Sequence, residues 1–442
     1  MTPLEIGLVI GIVTLLVLAT GIPIAFGLGI VSLGFLILFD GWGSLGIVAD
    51  TFFGGISDFT LVSIPMFVLM GAAVASSPAG KDLYEALDRW LHRVPGGLII
   101  SNIGACSIFA ALSGSSPATC AAIGKMGIPE MRQRGYPDGL ATGAIAAGGT
   151  LGILIPPSVT MIVYGIATET SIGRLFIAGL LPGLLLTTLF MAWALFAAWR
   201  GGYRFSLNEA GYSLRQKLVV LPRVLPFLMI IAGVLYVLYG GVATPSEAAG
   251  VGALLCLLVV IVVYGLVLRN WSPLRIWEIL ADTMRESVMI LMIIAASALF
   301  SYTLSSLFVT QSIAEWIAAL DVNRWVLMAM INLFLLVCGF FLPPVAVILM
   351  TAPVLLPIVT TVGFDPYWFA VIFTINMEIG LITPPVGLNL YVINGIAPDI
   401  SLPTILKGAL PFMLAMALGI VLLSFFPEIA TWLPDAVMGP AI

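Results

Sequence analysis

The chain has 442 residues, of which 61% are hydrophobic and only 9% charged, with a formal net charge of −5. A soluble domain carries about 25% charged residues, so this composition excludes water as the solvent for most of the surface. The apolar runs are continuous rather than alternating, which excludes a transmembrane β-barrel and leaves a bundle of helices.

In chain order, the apolar runs predict spans at 4–20, 24–39, 57–77, 174–199, 224–240, 247–268, 287–309 and 406–426. Each approaches the roughly 20 residues an α-helix needs to cross a hydrocarbon core. The first run lacks a basic flank and reads as a mature span rather than a signal peptide. Lys81–Val94 places Leu83, Leu87, Trp90, Leu91 and Val94 on one helical face and Lys81, Asp82, Asp88, Arg89 and Arg93 elsewhere. It reads as an interfacial amphipathic helix, with Ser312–Leu320 (Ile313, Trp316, Ile317, Leu320) as its partner in the second half. The stretches 97–127 and 326–356 are apolar but interrupted mid-way by small residues or prolines, and each half is too short to span. They read as re-entrant hairpins. The stretches 138–168 and 366–397 are broken at Gly152-Ile153-Leu154-Ile155-Pro156-Pro157 and Gly380-Leu381-Ile382-Thr383-Pro384-Pro385, and read as helices unwound within the membrane.

These features repeat. The shift that lays Pro129 on Pro357 also lays Gly135 on Gly363, Gly152 on Gly380 and Pro156-Pro157 on Pro384-Pro385, without a gap. The chain is therefore two halves joined by a linker carrying Arg200, Arg204, Arg215, Lys217 and Arg223. The loop 125–138 holds Lys125, Arg132 and Arg134, whereas its counterpart 353–366 holds no base. Basic loops favour the cytoplasm, so the repeats are expected to be inverted. Threading with external termini puts every basic residue inside except Arg174 and Arg324.

Inverted repeats with discontinuous helices place a binding site near mid-membrane. A break frees carbonyls, which suit a hard cation such as Na⁺, and exposes N–H groups at a helix N-terminus, which favours an anion. Proline fits the first turn of the second half-helix; Thr383 is placed to cap it, and Ile155 at the matching position is not. The first hairpin tip, Ser113-Gly114-Ser115-Ser116-Pro117-Ala118-Thr119, is the most polar stretch inside any apolar run; the second, Gly339-Phe340-Phe341-Leu342-Pro343-Pro344, has no hydroxyl and can ligate only through backbone. The expected substrate-binding set is Ser115, Ser116, Thr119, Thr150, Asn376, Glu378, Thr383 and Asn389. Glu378 is an ionisable residue at membrane depth, a functional candidate by default. Asn102 and Asn332 read as interhelical hydrogen-bonders, and Tyr164 and Tyr391 as packing residues. Gly124-Lys125-Met126 lacks the rest of a P-loop, which leaves an ion gradient as the driver. With one histidine (His92) and scattered cysteines (Cys106, Cys120, Cys256, Cys338), no metal-ligand or catalytic cluster is visible, so an intramembrane enzyme is disfavoured. A secondary transporter is the best reading. A channel and a carrier working without a binding protein are its alternatives, and lipid, not nucleic acid, is the expected surroundings.

Residues 135–183, GYPDGLATGAIAAGGTLGILIPPSVTMIVYGIATETSIGRLFIAGLLPG, with LPPVAVILMTAPVLLP (342–357) and EIGLITPPVGLNLYVI (378–393), resemble the large membrane subunit of the TRAP (tripartite ATP-independent periplasmic, DctM-like) transporters. The resemblance covers almost the whole chain. It implies a prokaryotic cytoplasmic membrane, a separate small four-helix membrane subunit, a periplasmic substrate-binding protein, and Na⁺-coupled import of carboxylate- or sulfonate-bearing organic acids by an elevator mechanism. It implies Na⁺ sites between tips and breaks, which fall on Ser113, Gly114, Ser115, Gly149, Gly152 and Pro156, and on Gly339, Leu342, Pro343, Gly380, Thr383 and Pro384. Many members carry an aspartate where this chain has Pro343, a departure that removes a carboxylate from the second site. The implied organisation is scaffold and arm (1–96), transport elements (97–168), scaffold helix and linker (169–223), scaffold and arm (224–325), transport elements (326–397) and a C-terminal scaffold helix (398–442).

Overall fold

The structure, a computed structural model, describes residues 1–91, 96–201, 212–267, 269, 272, 275–319 and 323–439. His92, Arg93, Val94, Arg204 and Leu320 lie outside the described residues.

The first half contains α1 (Pro3–Ala19), α2 (Ile24–Asp40), α3 (Gly46–Ile56), α4 (Ser63–Ala75), α5 (Ala79–Leu91), α6 (Gly97–Ser113), α7 (Ser116–Gln133), α8 (Asp138–Leu154), α9 (Val159–Ala167) and α10 (Ile172–Arg200). The second contains α11 (Leu214–Tyr239), α12 (Pro245–Val259, continuing as a π-helix to Val267), α13 (Arg275–Ser306), α14 (Val309–Ala319), α15 (Arg324–Phe341), α16 (Pro344–Thr361), α17 (Pro366–Leu381), α18 (Leu388–Ile396), α19 (Leu402–Phe425) and α20 (Glu428–Met438). Among the described residues, seven helices are long and apolar enough to cross a membrane, or up to nine if each of two bent pairs is one span. Helix starts follow local chemistry: Thr2 with Glu5, Ser213 with Gln216 and Thr244 with Glu247 form capping boxes, each satisfying two otherwise orphaned N–H groups.

Both hairpins form: α6 turns into α7 after Ser113, and α15 into α16 after Phe341. The repeats are inverted, and ion pairs at the two faces show it. On one face Arg132, at the end of α7, meets Asp138 at the start of α8 (3.0 Å) and Asp399 beyond the end of α18 (2.7 Å). On the other, Arg174 at the start of α10 lies over the ring of Tyr367, at the start of α17, and 3.5 Å from Asp435 of α20. The equivalent helices α8 and α17 thus start on opposite faces.

Four expectations need correcting. The span placed at 57–77 is a bent pair: the α3 and α4 segments meet at 57°, with Asp58 capping a short turn between them. The span placed at 287–309 begins earlier, because α13 carries Arg275, Asp282, Arg285 and Glu286 on its first turns before its apolar stretch. Helix α20, not anticipated, packs on α10 and α17. Tyr391 is exposed, unlike Tyr164, which is fully buried with its ring 5.8 Å from Phe373.

Packing divides the helices into two groups. In one, α4 lies on α12, α13 on α2, α3 and α4, and α11 on α12. In the other, α8 is enclosed by α6, α7, α10 and α19, while α17 packs on α15 and α10. The α8–α19 contact is the tightest: a Cβ at Gly143 would strike the Gly408 backbone, and one at Gly408 the backbone of Gly139. Small residues four apart let membrane helices approach this closely. Helix α5 bridges the groups, lying on α6 and α7 to one side and on α11 to the other. Asp82 and Asp88, expected on its outward face, are instead buried. Asp82 accepts from Tyr264 (2.8 Å) and faces Arg223 (3.4 Å), while Asp88 faces Arg134 (3.3 Å). Trp90, on the apolar face, is exposed, with the Lys217 ammonium 5.5 Å from its ring centroid.

Candidate functional site

The first hairpin tip is fixed by its own hydroxyls. Helix α6 ends because Gly114 takes the left-handed conformation (φ +58°) that a helix C-terminus favours and only glycine adopts freely. Ser115 is extended and α7 restarts at Ser116 with Pro117 in its first turn. The Ser113 and Thr119 hydroxyls are 2.8 Å apart, and Thr119 donates to the Ser115 carbonyl at 2.9 Å. Facing this tip, α8 ends at Leu154 and the chain turns by 42° into α9. Gly152 makes the approach possible: a Cβ there would lie 2.7 Å from the Ser115 carbonyl oxygen.

The second tip is built from backbone. Leu342 and Pro343 are extended between α15 and α16. Gly380 packs on the Gly339 carbonyl, and the Val386 N–H donates to Phe340 O at 3.3 Å. The prolines do not open the second half-helices as expected. Pro156-Pro157 and Pro384-Pro385, each joined by a cis bond, lie in the linking segments, and α9 and α18 start at Val159 and Leu388. Capping is the reverse of the expected pattern. Ser158 caps α9, accepting from Met161 N–H at 3.3 Å, whereas α18 follows Gly387 and has no side-chain cap. Thr383 instead donates to Ile379 O within α17 at 2.5 Å and lies 3.2 Å from the Met413 sulfur.

A cavity of about 250 Å³ lies between the tips. Ser113, Gly114, Ser115, Ser116, Pro343 and Pro344 line it, together with Ile153 and Thr160. Its opposite wall comes from α2, α4 and α13, through residues such as Ile24, Ala72, Ala75, Glu286 and Ile290. Glu286 is the only charged side chain in that lining. The expected span began at Ser287, so Glu286 fell outside it; its nearness to a membrane-depth helix was the signal available. Thr160 and Ser158 lie just past the first break, where only the second break had shown a hydroxyl to notice.

The remaining expected residues lie away from the cavity. Thr119 and Thr150 are buried, with Thr150 donating to Ala147 O at 2.6 Å within α8. Asn376 donates to Asn332 across helices (2.7 Å), as the interhelical reading of Asn332 required. Asn102 donates within its own helix to Leu98 O (2.9 Å), and its Oδ1 fills the space left by Gly127 of α7. Gly149, Gly152, Gly339 and Gly380 act through the side chains they lack. Glu378 and Asn389 form a separate buried cluster with Ser116: Ser116 Oγ donates to Glu378 Oε2 (3.4 Å) and accepts from Asn389 Nδ2 (2.8 Å).

Chemically, the tips and breaks bring together backbone carbonyls, hydroxyls and helix N-termini around a small cavity, a set able to hold a hard cation beside an anion. A family model for the DctM component of the tripartite ATP-independent periplasmic transporters matches residues 11–429. The chain belongs to the DctM family. This DctM-family chain is 37% identical over 377 residues to the C4-dicarboxylate TRAP transporter large permease protein DctM of Pseudomonas aeruginosa, covering 85% of this chain and 86% of that one. It is 33% identical over 427 residues to the sialic acid TRAP transporter large permease protein SiaM of Vibrio cholerae, covering 96% and 97%. Its fold is similar to that of the YdaH transporter of Alcanivorax borkumensis, with a TM-score of 0.62 at 18% identity over 92% of this chain and 91% of that one. The DctM-family chain is thus an integral membrane component of a tripartite transport system.

Proposed function

We propose that this chain is the large subunit of a Na⁺-driven, binding-protein-dependent importer of small organic acids bearing a carboxylate or sulfonate. The observation that carries the reading is the cavity closed between the two hairpin tips. Carbonyls near Ser113–Ser115 and Gly339–Leu342 hold Na⁺, and the N-termini of α7 and α16, beginning at Ser116 and Pro344, receive the substrate's anionic group. The relatives named for C4-dicarboxylates and sialic acid support the carboxylate class. The driving force is the ion gradient, with about 2.3 kcal/mol per charge for each 100 mV of potential.

Movement is of the elevator kind. The moving block comprises α6–α10 and α15–α19, because α10 and α19 pack chiefly on α8 and on each other, with an edge-on contact from Phe176 of α10 to Phe67 of α4 towards the other group. The sequence-based division gave α10 and α19 to the scaffold. Helices α5 and α14 are the arms. The partners are a separate small four-helix membrane subunit and a periplasmic substrate-binding protein. The site of action is the prokaryotic inner membrane, with the Arg132 face cytoplasmic and both termini periplasmic; the lipid-exposed apolar residues of α11 and α12, such as Met229, Tyr236 and Leu254, suit that setting.

The test is uptake of radiolabelled C4-dicarboxylates and sialic acid into proteoliposomes containing this chain, its small partner and the binding protein. Uptake is expected only with both an inward Na⁺ gradient and the binding protein. Uptake without the binding protein would make the chain a stand-alone carrier, and uptake without any gradient would make it a channel.

A further inference from the structure

The Ser116–Glu378–Asn389 cluster shares Ser116 with the first tip and the cavity lining, while Glu378 and Asn389 lie outside that lining. Its members come from both halves: Ser116 from α7, Glu378 from α17 and Asn389 from α18, with the Ala146 carbonyl of α8 accepting from Asn389 Nδ2 at 3.3 Å. Every side chain is sealed from solvent, with Glu378 1% exposed and Ser116 and Asn389 at 0%. No described Lys or Arg pairs with Glu378.

The hydrogen bonding is one-sided. Ser116 spends its only proton on Glu378 Oε2, and Asn389 spends its amide protons on Ser116 and Ala146. Glu378 Oε1 and Asn389 Oδ1 are left with no partner. Ile153 N–H lies beside the carboxylate but does not complete a hydrogen bond to Oε1. Buried polar atoms are almost always satisfied, and an uncompensated buried charge is far costlier than an unpaired neutral group. Both orphans are acceptors, so the cluster lacks positive charge rather than more oxygen. A carboxylate, an amide oxygen and nearby carbonyls form an all-oxygen set suited to a hard cation, and one carboxylate balances one positive charge.

We propose that Glu378 Oε1 and Asn389 Oδ1 ligate an additional Na⁺, separate from those held by the tip carbonyls, at the seam between the two halves of the moving block. This inference rests on the Na⁺-driven reading above. Because its ligands come from α17 and α18 and its supporting hydroxyl from the first tip, the ion binds only when that tip is seated. It therefore links occupancy of the first half's site to the second half.

The test is equilibrium ²²Na⁺ binding to the purified chain with its small subunit, in choline buffer at fixed pH, alongside the Na⁺ dependence of uptake in the full system. Glu378→Gln and Asn389→Ala are each expected to lower the bound Na⁺ count by one and the Hill coefficient for Na⁺ by about one. An unchanged count and Hill coefficient in both variants would overturn the site while leaving Na⁺ coupling intact. An unchanged count with loss of a pH dependence of uptake would also overturn it, assigning the carboxyl a proton. No Na⁺ binding to the wild-type protein would defeat the Na⁺-driven reading itself. Should both variants fail to fold, cryo-EM maps of the wild-type protein in Na⁺ and in choline decide the matter. Density between Glu378 and Asn389 is expected in Na⁺ alone, and its absence from both maps rejects the site.

Discussion

The two hairpin tips meet their broken helices in the same way but are held by different means. The first is pinned by side chains. Ser113 and Thr119 bond each other, Ser116 bonds Glu378 and Asn389, and Ser158 caps the helix beyond the break. The second rests on backbone contact between Gly339 and Gly380 and one bond from Val386 to Phe340, with Phe341, Pro343, Pro384 and Pro385 exposed. One repeat thus carries a rigid, hydroxyl-bearing tip enclosed by protein, and the other an apolar tip with room to shift. Duplicated architecture does not imply duplicated chemistry.

The largest test of this contrast is steric. Gly152→Val forces a side chain against the Ser115 carbonyl, and Gly380→Val forces one against Gly339. Overpacking costs about 1–3 kcal/mol where neighbours can relax and more where they cannot. Gly152→Val is expected to lose more thermal stability than Gly380→Val, because Ser115 and Ser116 are tied on every side. Melting curves of the purified variants check this, and equal losses would erase the asymmetry. A smaller effect separates the caps. Ser158→Ala removes a true N-cap, worth about 1 kcal/mol. Thr383→Val removes only a bond back into its own helix, so its melting temperature is expected to change by less than that of Ser158→Ala. The smallest effect concerns the basic loop that only the first half carries. Arg132 holds the Asp399 carboxyl below the usual carboxylate range through a hydrogen bond and its charge. A lowered folded-state pKa gives stability that is present above the ordinary value of about 3.9 and lost as pH falls through the folded one. Arg132→Gln is expected to lower the melting temperature slightly at pH 7, with the difference from wild type shrinking as pH falls from about 4 through the lowered folded-state value.

The sequence carried the architecture because hydropathy and breakers are local. The hairpins at 97–127 and 326–356, the breaks at Gly152 and Gly380, and the inverted register were all legible from Gly, Pro and the basic loops. What escaped was partner choice. Thr383 had the right residue type for a cap, but the chain continues as a linker to Gly387 and its hydroxyl turns back to Ile379. Asp82 and Asp88 looked solvent-facing on a helical wheel, because nothing local announces Arg223, Tyr264 and Arg134 arriving from other helices. Glu378 was visible as an intramembrane acid, yet its partners Ser116 and Asn389 come from distant segments brought together by packing alone.

The seating of α5 has a mechanical consequence. Asp82 is fastened to α11 and the π-helical end of α12 through Arg223 and Tyr264, and Asp88 to the foot of the first hairpin through Arg134. The helix is therefore a connecting rod with a pin joint near each end. In the proposed elevator movement, travel of the hairpin would swing this rod, so the joints would either rotate intact or release in turn. On that proposal, the turnover speed would be set partly by two arginine–aspartate pairs that line no part of the cavity.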